Sequence, residues 1–229
     1  MHPRIQLQDV AGSAMKILLA IAVLPWAFSA PLFAQTSGSK GTPDTVRLDD
    51  PIELPDTPEV PGTFSQAEKA FLQSAYAGNL EEVQVLVGKG VDVNLRDQKK
   101  RTPLILAAYN GHTPVVEFLV SNGADINAGD SDKQTALMYA SKRAFNETAA
   151  LLLAKGAEVD TQSKKKGINA LMLAAVADNA ELVQMLLDHG ADTSLKDVFG
   201  RTARDLAERK GNSAMAELLS DPRAPEGGS

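Results

Sequence analysis

The sequence predicts an all-α solenoid of stacked helix-turn-helix units joined by short hairpin-like turns. Three observations carry that expectation. Gly90, Gly123, Gly156 and Gly190 each close a helical run, at separations of 33, 33 and 34 residues. Thr102, Thr135, Asn169 and Thr202 each open one, at separations of 33, 34 and 33. Between them, small apolar residues fall at helical spacing, as in Leu104, Ala107 and Ala108. A fixed period of this length marks a repeat architecture in which no unit buries its apolar face alone.

Composition bounds the function. The 229 residues are 44% hydrophobic and 23% charged, a globular balance, but only 5% aromatic, so the core must be built from Ala, Leu and Val. The absence of cysteine excludes a disulfide framework, a cysteine-based zinc site, a cysteine nucleophile and a lipidated cysteine. A net charge of -6 and a pI near 5.1 point away from a generic nucleic-acid or membrane-surface binder. Three histidines leave little material for acid–base or metal chemistry near neutral pH.

The chain opens with a basic residue, Lys16, and an apolar run from Ile17 to Leu24 that continues more weakly to Ala34. This is the pattern of a secretory signal over residues 1–34, cleaved between Ala34 and Gln35. Met15 is the more typical start, which makes the first fourteen residues an upstream extension. A leader of this kind resembles those of Gram-negative bacteria and places the protein in the periplasm. Release into the medium is one alternative. A retained inner-membrane anchor is the other, but Pro25, Ser29 and Pro31 weaken a spanning helix there. Residues 35–63 carry Pro43, Pro51, Pro55, Pro58 and Pro61, show no apolar periodicity and have a net charge of -4. They read as a disordered acidic tether, and 221–229 as a disordered tail.

The repeat region spans residues 64–220. In its clearest unit Thr102 caps a first helix with Pro103 in the first turn. Gly111 breaks it. Thr113, followed by Pro114, is expected to cap a second helix whose apolar face is Val115, Val116, Phe118, Leu119 and Val120. Asn122-Gly123 ends that helix in a left-handed turn. In the preceding unit Asn79 and Glu82 form a capping-box-like start. Isolated helices this short are marginal in water, so the units must stack.

Arg101-Thr102-Pro103-Leu104, Ala107-Ala108, Asn110-Gly111-His112, Val115-Val116 and Asn122-Gly123-Ala124-Asp125-Ile126-Asn127 together resemble an ankyrin repeat. Further copies run through Gln134-Thr135-Ala136-Leu137 with Lys155-Gly156-Ala157, and Asn169-Ala170-Leu171 with His189-Gly190-Ala191-Asp192. The first copy is degenerate, with Lys69-Ala70 in place of Thr-Pro, and the last is polar at Arg204, Glu208, Arg209 and Lys210. Both depart as end caps should. The family's histidine after Thr-Pro-Leu is replaced by Ile105, Met138, Met172 and Arg204, which predicts looser turns.

No catalytic residue, cofactor or metal is expected. His112 and His189 lie two to three repeats apart and read as structural. Neither a Walker-type phosphate loop nor a Gly-x-Ser-x-Gly elbow is present. Asp92, Asp125, Glu158, Asp160 and Asp192 recur with the repeat, which signals turn chemistry, since a catalytic carboxylate would occur once. Met138, Met172 and Met185 read as core filler.

What remains is a recognition surface. The resemblance implies a cupped array with turn tips as fingers and first helices as the palm, binding a protein on its concave face. The partner-binding candidates are Tyr76, Lys99, Arg101, Tyr109, Asn110, Lys142, Arg143, Lys165, Lys166, Phe199 and Arg201. The four tips sum to +6, leaving -12 on the rest of the chain. This segregation predicts steering of an acidic protein partner, anchored on Tyr76, Tyr109 and Phe199. It also predicts that the acidic tether competes for the same fingers. A monomeric scaffold or regulator is expected, without stable membrane insertion after signal cleavage and without nucleic-acid binding. A secreted effector or inhibitor of another cell's protein is the alternative.

Overall fold

The structure, a computed structural model, describes Gly62 and residues 64–220. The expected signal, nearly all of the tether and the 221–229 tail lie outside the described residues. The chain divides into Met1–Pro51 and Ile52–Ser229, and the described residues belong to the second unit. They form ten helices in five pairs: α1 (Gln66–Ala77) with α2 (Leu80–Gly88), α3 (Pro103–Tyr109) with α4 (Thr113–Ser121), α5 (Ala136–Lys142) with α6 (Asn146–Ala154), α7 (Ala170–Val176) with α8 (Ala180–Asp188), and α9 (Ala203–Arg209) with α10 (Ser213–Leu218).

Each first helix packs on the next first helix, α1 through α9, and each second helix on the next second helix, α2 through α10. The result is two helical layers with the core between them. Its floor is alanine: Ala75, Ala107, Ala108, Ala140, Ala174, Ala175 and Ala207 are buried, which lets backbones approach closely. Its bulk is Leu104, Leu106, Leu119, Leu137, Leu152, Leu171 and Leu186. Burying one such leucine contributes about 1.5–3 kcal/mol, and most of that surface is covered by the neighbouring unit.

The first-helix caps follow the sequence. Thr102, Thr135, Asn169 and Thr202 accept hydrogen bonds from the amides of Ile105, Met138, Met172 and Asp205. Two expectations are corrected. The first helix does not begin near Lys69-Ala70: Ser65 caps it with a full capping box to Glu68, and at 12 residues α1 is longer than the other first helices. The terminal unit has only one neighbour, and the longer, better capped helix compensates. Thr113 does not cap α4. His112 occupies the cap position without a side-chain bond, and the Thr113 hydroxyl lies 2.9 Å from that of Thr148 in the next unit.

The turns are not loose. Asp97, Asp130, Ser163 and Asp197 hold one equivalent position at the base of each tip. Asp97 Oδ1 accepts from Arg101 N–H, Asp130 Oδ1 from Asp132 and Gln134 N–H, Ser163 Oγ from Ile168 N–H, and Asp197 Oδ1 from Phe199 and Arg201 N–H. The side-chain bond expected from a histidine is supplied from the other end of the turn. The recurring acids do turn chemistry as expected: Asp92, Asp125 and Asp192 accept from the amides two residues on. Between units, Asn94, Asn127 and Asp160 accept from the amides of Asp125, Glu158 and Asp192, which ties each of the first three units to its successor.

Between the helices of each pair sits a left-handed residue: Gly78, Gly111, Ala144, Asp178 and Gly211, with φ between 57° and 79°. At Gly111 a Cβ would meet Phe145 Cδ1 at 2.7 Å. Ala144 occupies the equivalent conformation with a Cβ, at a cost of about 1–2 kcal/mol. Ala144→Gly is therefore expected to raise stability by about 1 kcal/mol and Gly111→Ala to lower it by at least about 2 kcal/mol, read from urea unfolding. Equal and opposite small effects would contradict the strain assignment.

Candidate protein-binding surface

Four turn tips precede α3, α5, α7 and α9, each running directly into the N-cap residue of its helix. Each tip is a short hairpin-like turn. Asp97 N–H donates to Arg101 O and Lys100 N–H to Asp97 O, and the same pair of bonds recurs at Asp130/Gln134, Ser163/Ile168 and Asp197/Arg201. Successive tips are also joined to one another. Ser131 N–H donates to Lys99 O, Lys164 N–H to Asp132 O, and Val198 N–H to Lys166 O. Arg96 reaches forward to Gly129 O, and Gln162, at the equivalent position two units on, to Lys196 O. The tips therefore form a continuous bonded ridge rather than independent loops.

The eleven candidate residues divide sharply on this frame. Arg101 is only 2% exposed, and its Nη2 and Nε both lie 2.7 Å from Asp97 Oδ2. Arg201 repeats the arrangement with Asp197, its Nη2 2.6 Å from Oδ2, and lies 4.7 Å from the Phe199 ring centroid. The expectation that both arginines present tip charge is corrected for Arg101: its cation closes the turn from inside. Tyr109 is likewise interior at 3% exposure, packed edge-on against Tyr139 at 5.7 Å. Asn110 donates to Tyr76 O at 2.7 Å, beside His112 Nε2 at 3.0 Å from the same carbonyl. A carbonyl only accepts, so His112 Nε2 carries the proton and the ring is structural, as expected.

The outer surface is made by other residues. Arg143, Lys165 and Lys166 are exposed, Lys142, Lys99 and Tyr76 half-buried. Arg143 lies over the outer face of Tyr109, 4.9 Å from its ring centroid. Burial holds the Lys142 ammonium below its usual range, and the charges of Lys166 and Arg143 push the same way. Lys142, Lys165 and Lys166, with the exposed Lys164 that was not among the candidates, have no ion pair among the described residues. Beside them on the next tip stand Phe199, 47% exposed, and Val198, 58% exposed. Val198 was not among the partner-binding candidates. Its signal was its place next to Phe199 at a tip where the other units carry Gln98-Lys99, Ser131-Asp132 and Lys165-Lys166.

Tyr139 is the residue that sequence reasoning missed. It donates to Asp130 Oδ2 at 2.7 Å, and burial together with that carboxylate pushes its phenol well above the usual range, so it stays protonated. It locks the second tip where the first and fourth use an arginine. Tyr109 differs: its hydroxyl is a buried side-chain polar atom with no hydrogen-bond partner. No group of three or more potential ligands among the described residues is placed to hold a metal. An open recess holds Glu158, Asp160 and His189, but each is committed locally. Glu158 accepts from Thr161 Oγ1, Asp160 from Asp192 N–H, and His189 Nδ1 lies 2.8 Å from Met185 O.

Asp97→Ala, which removes the buried carboxylate facing Arg101, is expected to cost about 3–5 kcal/mol in urea unfolding. Glu208→Ala, breaking the exposed 2.9 Å Arg204–Glu208 pair, should cost less than about 1 kcal/mol. Tyr109→Phe should leave stability unchanged or raise it by about 1 kcal/mol, because only an unsatisfied hydroxyl is lost. Comparable losses for Asp97 and Glu208 would overturn the division into interior and surface charge.

Comparison with known proteins agrees with this geometry. The family model for ankyrin repeats (3 copies) matches residues 71–163 and 145–226, together more than half the chain. A 59-residue stretch is 39% identical to part of Potassium channel AKT1 of Arabidopsis thaliana. It covers 26% of this chain and 7% of that protein. No helix among the described residues is long and apolar enough to cross a membrane. The chain belongs to the ankyrin-repeat family, and its repeat array is a protein–protein interaction module.

Proposed function

We propose that the protein is an exported scaffold or regulator that binds an acidic partner protein through the tip ridge and the adjoining ends of α5 and α7. One observation carries this reading: the exposed cations Arg143, Lys164, Lys165 and Lys166 stand beside the exposed apolar pair Val198 and Phe199 on the neighbouring tip. Lysines steer an acidic surface, and an aromatic group held against an arginine provides an anchor that is already ordered before binding. The bonded ridge supports the same conclusion, because a pre-organised surface loses less conformational entropy on association. Export is supported by the basic residue and apolar run of the leader, with the periplasm as the destination.

The test is capture from a periplasmic extract with the tagged protein. Lys142→Glu/Lys165→Glu/Lys166→Glu is expected to reduce capture at least about tenfold at low salt, and Phe199→Ala about tenfold at all salt concentrations. Unchanged capture by both variants rejects the surface. Cell fractionation tests export separately: a cytoplasmic protein of uncleaved length rejects it, and accumulation in the medium favours the secreted alternative.

A further inference from the structure

We infer that Arg143 and the buried Tyr109 hydroxyl form a receptor for one acidic side chain of the partner, whose carboxylate pairs with the guanidinium and accepts a hydrogen bond from the phenol. The inference rests on the protein-binding reading and names the chemical group that the surface selects. Two observations carry it. Among the described residues, Tyr109 holds the one buried side-chain polar atom without a hydrogen-bond partner, on a residue only 3% exposed. Arg143, over that ring, is an exposed cation with no ion pair among the described residues. The phenol has a proton to donate and the guanidinium a charge to offset, and a carboxylate answers both.

The repeat brings the two groups together. Gly78, Gly111 and Ala144 are equivalent left-handed residues, so Tyr76 is equivalent to Tyr109, and Asn110 to Arg143. Asn110 reaches back one unit and donates to Tyr76 O. Arg143 reaches back in the same way, and its guanidinium carbon stands 4.9 Å from the Tyr109 ring centroid and 5.8 Å from that of Phe145. Two aromatic rings thus orient a planar fork of donors before any partner arrives, and that fork matches the two oxygens of a carboxylate.

The other charges nearby are already engaged. Arg143, Tyr76 and Arg101 are the groups whose charges act on the Tyr109 phenol, and Arg101 is closed on Asp97 beneath its tip. Asp130 offsets Lys142 and accepts from the Tyr139 hydroxyl. Burial raises the Tyr109 phenol above its usual range, so at neutral pH it keeps the proton it would donate. A phenylalanine would fill the same space without an unsatisfied hydroxyl, so that hydroxyl has no use in the folded monomer, and its use is in the complex. It is closed from solvent in the free protein, and the exposed Arg143 side chain is what an entering carboxylate draws aside.

The chain has three tyrosines, Tyr76, Tyr109 and Tyr139, so ring-labelled 13C tyrosine gives three sets of NMR signals, assigned by Tyr→Phe variants. The probe is a six-residue glutamate peptide with an amidated C-terminus at about 0.05 M NaCl, where ionic attraction is little screened. It is expected to shift the Tyr109 signals saturably and leave those of Tyr139 in place, while an amidated glutamine peptide moves neither. In fluorescence anisotropy with the dye-labelled glutamate peptide, Tyr109→Phe should weaken binding about fivefold and Arg143→Gln about twentyfold. Arg143→Lys keeps the charge but loses the fork, and should still weaken it about fivefold. Should the Arg143 variants lose their fold, Tyr109→Phe, expected to be at least as stable as the parent, decides alone. Unmoved Tyr109 signals, unchanged affinity in Tyr109→Phe, or an Arg143→Lys variant equal to the parent overturns the inference and leaves only general attraction to the lysines. A glutamine peptide with a free C-terminus that matches the glutamate peptide overturns it in favour of a chain terminus as ligand. None of these variants enters the capture experiment, so the lysine and Phe199 tests stand or fall separately.

Discussion

Helices of seven to nine residues do not persist in water, because nucleation costs more than so few hydrogen bonds return. Every helix after α1 in this array falls at or below that length, and each exists only because a neighbour covers its apolar face. Stacking is thus the condition for secondary structure here, not its consequence. It also explains the composition. A backbone-to-backbone approach needs alanine where first helices meet, and the buried Ala107-Ala108 and Ala174-Ala175 pairs supply it with few aromatics.

The same constraint shapes the binding edge. Once helices are spaced by packing, the connecting turns are spaced too, and bonds from one tip to the next become available. Ser131 to Lys99, Lys164 to Asp132 and Val198 to Lys166 are such bonds. Each tip is then closed by one side-chain acceptor at its base, and the four units solve that problem differently. Asp97 and Asp197 use an arginine four residues on, Asp130 uses Tyr139 from the following helix, and Ser163 closes a longer turn with its hydroxyl. Residues that look like variable surface in a repeat alignment of the chain with itself are, in these cases, the interior of the turn.

Charge therefore had to be sorted before it could be read as recognition. Counting every Lys and Arg of a tip gives a positive finger, but Arg101 spends its charge on Asp97 inside the fold. The cations that face outward cluster at the third tip and the end of α5, next to an apolar fourth tip. A surface of this kind combines long-range attraction, which salt screens, with a short-range anchor, which it does not. That separation gives the two halves distinguishable signatures.

Much of the architecture was legible in the residues. The 33-residue period, the Thr or Asn caps of four first helices and the closing glycines identified the units, because helix propensity, capping and left-handed turns are local properties. The acids at Asp92, Asp125 and Asp192 were read correctly for the same reason. Local chemistry failed where a partner came from elsewhere in the chain. Thr113 looks like a cap but bonds Thr148 of the next unit, Asn110 looks like surface but is held by Tyr76, and Tyr109 is covered by its neighbours. Burial and long-range hydrogen bonding depend on which units touch, and only the stacked tertiary structure decides which polar groups are consumed inside it and which remain outside to meet another protein.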